Sequence, residues 1–525
     1  MQIMKTFRLF LALFLTILFF EKAADAQVVQ GDTMSFWSVT YIDWPPLAGT
    51  PQRKVHAVCD KVGEHCYIFR EDTLAPFPQA QVDTLVHRFD HHFVPELTTV
   101  YGPMPDALDA DSHVFILIFE EQDWCGYWDP AQQMTDSMVF ATWGSHSNEH
   151  EIIYIASDCF YSAPSIAAHE FGHMLHWGRD HSPEPPATPV QYWEDAWIDE
   201  GFSTFAQLYL TENIFAADIH DLQTFFTGNP DIPLIYFSNY SQAKLWTLFM
   251  FEHYGGWNYI EALIGNQLNG IAGMDSALRQ IGAPATFNEA FLHWSITNFL
   301  DDSGYDNGRY AYHHYNFNPC AITASHNTYP TGICNQSVNP YGSDYICFQV
   351  PVQGSVPTPM SIEFSGDSTS KFLLAAIKTS LPGNTVKGVE YLIPDSAGHA
   401  VINADSLGVA FDQIVLVVCN VDSSLHEGET ASYSYYTSST AGTEKLDITP
   451  GLQIFPNPAK SRIVVKADAA LAGTPYTIYN HTGQVVAGGI LKEETTVIDI
   501  NNLADGVYIF NTGKGYNLTF KVIKN

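Results

Sequence analysis

The sequence predicts a multidomain chain. Residues 27–305 read as a two-lobed domain, α/β first and helical after about residue 160, followed by an all-β accessory domain and a small β-sandwich. Three observations carry this reading. The chain has 525 residues, which at about 150 residues per domain leaves room for roughly three domains. Apolar side chains recur at helical spacing from Ser162 to about Leu300. Beyond Asp301 the composition turns to Tyr, Val, Thr, Ser and Gly with frequent turn signals, the pattern of short strands.

Residues 1–26 carry Lys5 and Arg8, then the apolar run Leu9–Phe20, then Ala24-Asp25-Ala26 as a small-x-small cleavage site. This is the pattern of a signal peptide, because the apolar run is shorter than the roughly 20 residues that span a bilayer. No later run reaches roughly 18 uninterrupted apolar residues, so no transmembrane segment is expected in the mature chain. Between Val55 and Phe119 short β-type runs, Tyr67-Ile68-Phe69 and Val114 to Phe119, flank one helical stretch around Ala80 to Thr99. Helices are then expected near 163–177, 196–210, 241–254 and 286–299. The all-β accessory domain is placed at 306–438, a small polar linker at 439–448, and a second β-rich block at 449–525.

Hydrophobic residues make up 46% and charged residues 15%, which suits a folded chain rather than a disordered one. The formal charge of −34, from 57 acidic and 23 basic side chains, argues against a nucleic-acid partner, since phosphate binding depends on Lys and Arg. Eight cysteines in an exported chain permit disulfides. Cys59 with Cys66 and Cys320 with Cys334 are close enough in sequence for local bridges, leaving Cys125, Cys159, Cys347 and Cys419 to pair over distance. Spacing alone does not determine the connectivity.

The chemistry concentrates in His169-Glu170-Phe171-Gly172-His173, an H-E-x-x-H run inside a helical pattern. Side chains four apart on a helix share a face, so both imidazoles can reach one ion. Zinc with three protein ligands keeps a fourth position for water, and the Glu between the histidines is placed to take that water's proton. A buried helix whose histidines satisfy local carbonyls is the plainer alternative. It would leave two His and one Glu inside an otherwise apolar helix without compensation. A metzincin is excluded, because the positions three and six after His173 hold His176 and Arg179. Glu200, in Trp197-Ile198-Asp199-Glu200-Gly201-Phe202, stands 27 positions after His173 near the start of a second helix and completes a His-His-Glu set of the thermolysin type. Glu194, Asp195 and Asp199 are rivals for the third ligand, or orient the imidazoles from behind, and His176 is expected to pack or hydrogen-bond there.

These residues resemble the hyicolysin-like and related gluzincin metallopeptidases. The likeness lies in Ala168 to Trp177 and Ala196 to Gly201, with weaker similarity in His113 to Phe119, Gly126 to Pro130, Tyr240 to Gly256 and Phe287 to Leu300, together about 55–305. It implies a zincin-type catalytic domain holding one Zn2+ per chain and a secreted endopeptidase acting on protein or peptide substrates. Gly172 departs from the family, where many relatives carry a polar residue. A second resemblance lies at the end of the chain, in Phe455 to Ala459, Tyr479 to Gly483, Leu503 to Phe510 and Lys521 to Lys524. These look like a type IX secretion C-terminal sorting domain, an Ig-like sandwich at 449–525. The resemblance implies the type IX machinery as partner, export through the periplasm and across the outer membrane, and a secreted or cell-surface destination. An ordinary carbohydrate-binding or structural sandwich is the alternative.

Glu170 is then the expected general base, and a further group should stabilise the developing oxyanion. Tyr240, His253 and His293 are the candidates, each also readable as an ordinary core or surface residue. Asp301 to Gly308 gathers oxygen ligands and is a candidate structural Ca2+ site, with a solvated turn as the alternative. The competing function is a secreted adhesin or matrix-binding protein with a structural zinc. A closed structural site needs four protein ligands and no base, whereas this motif offers three ligands and a carboxylate.

Overall fold

The computed structural model describes residues 28–39, 51–105, 108–109, 111–121, 123–180, 194–210, 228–237, 239–351, 356, 359–438, 452–467, 471–480, 484–492, 494–512 and 519–525. The expected signal peptide and linker lie outside the described residues. The chain divides into two compact units, Met1–Ser439 and Thr440–Asn525.

The first unit opens with a six-stranded sheet: β1 (Thr33–Val39), β2 (Gln52–Val62), β3 (Cys66–Glu71), β4 (Val114–Phe119), β5 (Gly126–Tyr127) and β6 (Ile152–Ala156), in the order β1-β2-β3-β4-β6-β5. The parallel strands β3, β4 and β6 are buried throughout, which is why they read as unbroken apolar runs rather than alternating ones. Ile68, Ile116 and Ile153 face the helices, while Phe69, Leu117 and Tyr154 fill the opposite face. β5 runs antiparallel to β6 at the edge of the sheet.

The single helix expected around Ala80 to Thr99 is interrupted. α1 (Gln79–Arg88) passes through a π-helical turn at Phe89–Phe93 into α2 (Val94–Tyr101). Pro95 in the first turn of α2 brings no N–H to a regular ladder, which fits a break there. A short helix, α3 (Asp136–Trp143), ends on Gly144 in the left-handed conformation.

The helical lobe follows: α4 (Ala163–Asp180), α5 (Ala196–Leu210), α6 (Tyr240–His253), α7 (Trp257–Ile264), α8 (Gly270–Gln280) and α9 (Phe287–Leu300). α4, α5, α6 and α9 fall within three residues of the expected bounds. Two glycines set how closely the central helices approach. A Cβ on Gly172 would stand 3.2 Å from Ser203 Cα in α5, and one on Gly201 would stand 2.5 Å from Thr247 Oγ1 in α6. Gly172 thus serves the contact between α4 and α5, which accounts for the absence of a polar side chain there. α9 starts on a capping box of Thr286 and Glu289 and stops at Asp301, whose φ is 37°.

Beyond α9 lies a β-sandwich. Its five-stranded sheet has the order β12-β11-β14-β9-β7 and its four-stranded sheet β13-β10-β15-β8. The strands are β7 (Ala324–His326), β8 (Cys334–Val338), β9 (Ser343–Gln349), β10 (Ser361–Gly366), β11 (Phe372–Ser380), β12 (Thr385–Leu392), β13 (His399–Asn403), β14 (Gln413–Asn420) and β15 (Ala431–Ser438). Alternation along β11 and β14 divides two cores. Ile377, Val415 and Val417 join the helical core, while Leu374, Leu416 and Val418 meet the second sheet. Tyr345 Oη donates to Ser295 O in α9 at 2.7 Å, so the sandwich and the helical lobe share buried polar as well as apolar contacts.

The local disulfides expected from spacing do not form. Cys59 and Cys66 belong to cores on opposite faces of the first sheet, and Cys320 and Cys334 likewise belong to different cores. The bond present joins Cys125 to Cys159, and the remaining six cysteines are free.

The second unit is a sandwich of a three-stranded and a four-stranded sheet, Leu452–Phe455 with Arg462–Ala467 and Glu494–Asp499, and Val485–Ile490 with Pro475–Tyr479, Gly506–Thr512 and Thr519–Lys524. Ile463, Val465, Ile478, Ile498, Phe510 and Val522 form its core. Among the described residues no helix is long and apolar enough to cross a membrane.

Candidate metal centre

The two histidines of α4 converge as their spacing requires. Nε2 of His169 lies 3.1 Å from Nε2 of His173. The second helix delivers Glu200, whose Oε2 is 3.2 Å from His169 Nε2 and 3.6 Å from His173 Nε2. Three ligand atoms at 2.0–2.1 Å from a tetrahedral zinc would be spaced by roughly 3.3–3.4 Å, and these three distances bracket that value. Glu200 Oε2 is also buried without a hydrogen-bond partner. A buried carboxylate oxygen facing two imidazole nitrogens is a donor set that fits a cation.

The charge balance points the same way. Glu170, Asp199 and Glu200 are all buried around two imidazoles. Burial pushes the Glu170 carboxyl up from its ordinary value, against the pull of His169 and His173. Burial acts on Glu200 too, but His173 and His169 overcome it and bring that carboxyl down to about 2. Three carboxylates in a low-dielectric site are costly unless a cation joins them. A nitrogen of each histidine and an oxygen of Glu170 lie within 4.8 Å of one another. Glu200 is the nearer carboxylate, and Glu170 stands beside the focus.

Behind the imidazoles stands Asp199. Its Oδ2 is 2.8 Å from His173 Nδ1 and its Oδ1 is 2.7 Å from His176 Nδ1. With Nδ1 of His173 facing a carboxylate, the Nε2 lone pair is the one turned to the ligand focus. Of the rivals for third ligand, Asp199 therefore takes the orienting position. Glu194 Oε1 instead accepts the backbone N–H groups of Asp195 and Gly270, and burial pushes its carboxyl up to about 7. Asp195 accepts from Trp197 Nε1. Neither belongs to the cluster of converging ligand atoms.

The three oxyanion candidates separate. Tyr240 opens α6 with its side chain half exposed and its ring centroid 6.3 Å from that of His169; desolvation of the hydroxyl and the charges of Glu200 and Glu170 raise its pKa, so it is a donor at neutral pH. His253 closes the same helix, 13 residues or about 20 Å further on. There it bonds Ala311 O, while His293 bonds Arg309 O and Tyr254 Oη. His253 and His293 are thus part of the support for the loop after α9, away from the cluster. The Asp301 carboxylate accepts the N–H groups of Tyr312 and Phe317, and Asp302 accepts that of Gly304, so these acids serve the turn itself.

One neighbour of the site entered the sequence reading only through the similarity of Gly126 to Pro130, with no role assigned to it. A Cβ on Gly126 would clash with Ile166 and stand 3.4 Å from Glu170 Oε1, so β5 runs directly beside that carboxylate. Apart from that similarity the signal was the glycine itself, and a lone glycine marks close approach without saying to what.

No curated protein matches the chain. Among solved structures, similarity is found to a biofilm-associated protein BSP domain, at 11% identity over 39% of this chain and 53% of that one, with a TM-score of 0.15. A functionally unknown conserved protein from Bacillus anthracis str. Ames is 10% identical over 45% of each chain, with a TM-score of 0.24. A β-1,2-glucanase from Parabacteroides distasonis is 15% identical over 38% of this chain and 33% of that one, with a TM-score of 0.15. The chain spans from about a third to about half of these structures, and likeness this slight carries no reading of fold or activity. Residues 453–525 match the family described as the secretion system C-terminal sorting domain. The end of the chain is therefore a type IX sorting domain, which addresses the protein to that machinery for secretion across the outer membrane.

Proposed function

We propose that the first unit is a zincin-type, zinc-dependent endopeptidase in which His169, His173 and Glu200 hold the metal and Glu170 is the general base. The observation that carries this reading is the triangle of ligand atoms, 3.1, 3.2 and 3.6 Å on its edges, with a buried carboxylate alongside. Zinc bound there supplies Lewis acidity toward a peptide carbonyl and a lowered pKa for water.

The chain's own residues do the rest. Glu170, made more basic by burial, takes a proton from water and returns it to the leaving amine nitrogen. Asp199 keeps the His173 ring oriented. Tyr240 Oη, protonated at neutral pH, donates to the developing oxyanion. Among the described residues β5 is the edge strand of the sheet, near Glu170, where an extended peptide can add as a further strand.

The test is cleavage of denatured casein by the purified chain with and without a zinc chelator, beside the Glu170→Gln variant. Chelator-sensitive cleavage by the native protein is expected, with a loss of roughly 10²–10⁴-fold in the variant while zinc is kept. Zinc bound at full occupancy with no cleavage would return the alternative of a binding protein with a structural metal.

A further inference from the structure

We propose that the Cys125–Cys159 disulfide is a positioning clamp for this site. It holds β5 against Glu170, and its reduction by a small dithiol weakens peptide binding without releasing the metal. The inference rests on the peptidase reading above.

β5 has two residues, paired as Gly126 with Ile155 and Tyr127 with Tyr154. Cys125 precedes it directly, its carbonyl accepting the Ala156 N–H at 2.8 Å. Cys159 lies in the 3-10 turn Ser157–Ser162, which joins the end of β6 to the first residue of α4. The bond therefore ties the edge strand to the segment that feeds the H-E-x-x-H helix. So short a ladder holds poorly by itself, yet Gly126 lies so near Ile166 and Glu170 that an added Cβ would clash with the first and stand 3.4 Å from the second. Stacking of Tyr127 on Tyr154 at 4.1 Å anchors one end of β5, and the disulfide anchors the other.

The bond is also reachable. Cys125 is exposed and Cys159 half-buried, whereas five of the six free cysteines are buried. A dithiol thiolate attacks one Sγ and the S–S bond breaks. The second thiol of the reagent then closes on the first, releasing both cysteines as thiols. Two electrons and two protons pass to the protein, and the reagent leaves as a cyclic disulfide.

The experiment compares full-length oxidised protein, the same protein treated with dithiothreitol, and the Cys125→Ser/Cys159→Ser variant. A quenched fluorescent peptide reads kcat and KM, metal analysis reads zinc, and hydrogen exchange reads residues 124–128. The clamp predicts a KM raised about tenfold with kcat within about threefold, zinc unchanged, and exchange at Tyr127 about tenfold faster. Treated native protein should match the variant and recover on reoxidation. The variant itself should not respond to dithiothreitol, which also reports any stripping of zinc by the reagent. Unchanged KM in a zinc-loaded variant, or unchanged exchange at β5, overturns the clamp. Absence of turnover in the oxidised native protein instead refutes the peptidase reading, and hydrogen exchange still decides whether β5 is held by the bond. Should the double variant fold poorly, the reduced native protein answers the same question.

Discussion

Replacing Asp199 by Asn isolates the group that orients the metal ligands. Asp199 offers one oxygen to His173 Nδ1 at 2.8 Å and the other to His176 Nδ1 at 2.7 Å. An amide of the same shape presents one oxygen and one NH2, so one of the two imidazoles meets a donor where it had an acceptor. If that ring is His173, its proton moves to Nε2 and the lone pair needed for metal is lost; if it is His176, the buried charge behind His173 is still gone. Removing such an outer partner costs about 10–100-fold in metal affinity, which converts to roughly 1.4–2.7 kcal/mol at a factor of ten per 1.36 kcal/mol. Competition with a chromophoric zinc chelator measures this directly, and circular dichroism checks that the fold survives. A folded Asp199→Asn protein that binds zinc within twofold of the native affinity would refute the assignment of Asp199 as the orienting group.

Three further outcomes follow from the packing and electrostatics. Gly201→Ala should destabilise the first unit by about 1–3 kcal/mol by overpacking, since its Cβ would stand 2.5 Å from Thr247 Oγ1 and 3.2 Å from Ala243 O; a denaturation midpoint equal to native would contradict this contact. Burial pushes the Asp231 carboxyl up to about 7, with hydrogen bonds from Asn339 opposing. A native pKa above the unfolded value of about 3.9 means the folded state holds the proton more tightly, so this contribution is full below pH 4 and lost as pH rises through 7. Urea midpoints at pH 5 and 8 should therefore differ more in the native protein than in Asp231→Asn, and equal differences would count against it. Thiol titration of the unfolded, unreduced chain should find six free cysteines; a count of four or fewer would restore the pairing expected from spacing.

What the sequence disclosed and what it hid divide along physical lines. His169 and His173 were legible because helical periodicity puts side chains four apart on one face, whereas the 3.2 and 3.6 Å distances to Glu200 depend on the packing of α5 against α4, which only the roles of the residues suggested. The strands β3 and β4 were legible because burial on both faces leaves an unbroken apolar run. The cysteine pairing was not, because Cys59 and Cys66 are near in sequence but a sheet apart in space. Tyr240 could not be told from His253 and His293, since the 13-residue step from Tyr240 to His253 fixes their separation along α6 but only the packing shows which end of that helix meets α4. β5 was hidden for another reason. Two residues give no period, and its place beside Glu170 is set by Gly126 and by a disulfide whose partner is 34 residues away.

Zinc-edge X-ray absorption on the purified chain tests most directly whether His169, His173 and Glu200 hold a metal. The expected spectrum has only nitrogen and oxygen neighbours at about 2.0–2.1 Å with imidazole scattering, and that signal should disappear in Glu200→Ala. Sulfur at about 2.3 Å, or a zinc site unaffected by loss of Glu200, would contradict the assignment of His169, His173 and Glu200 as the metal ligands.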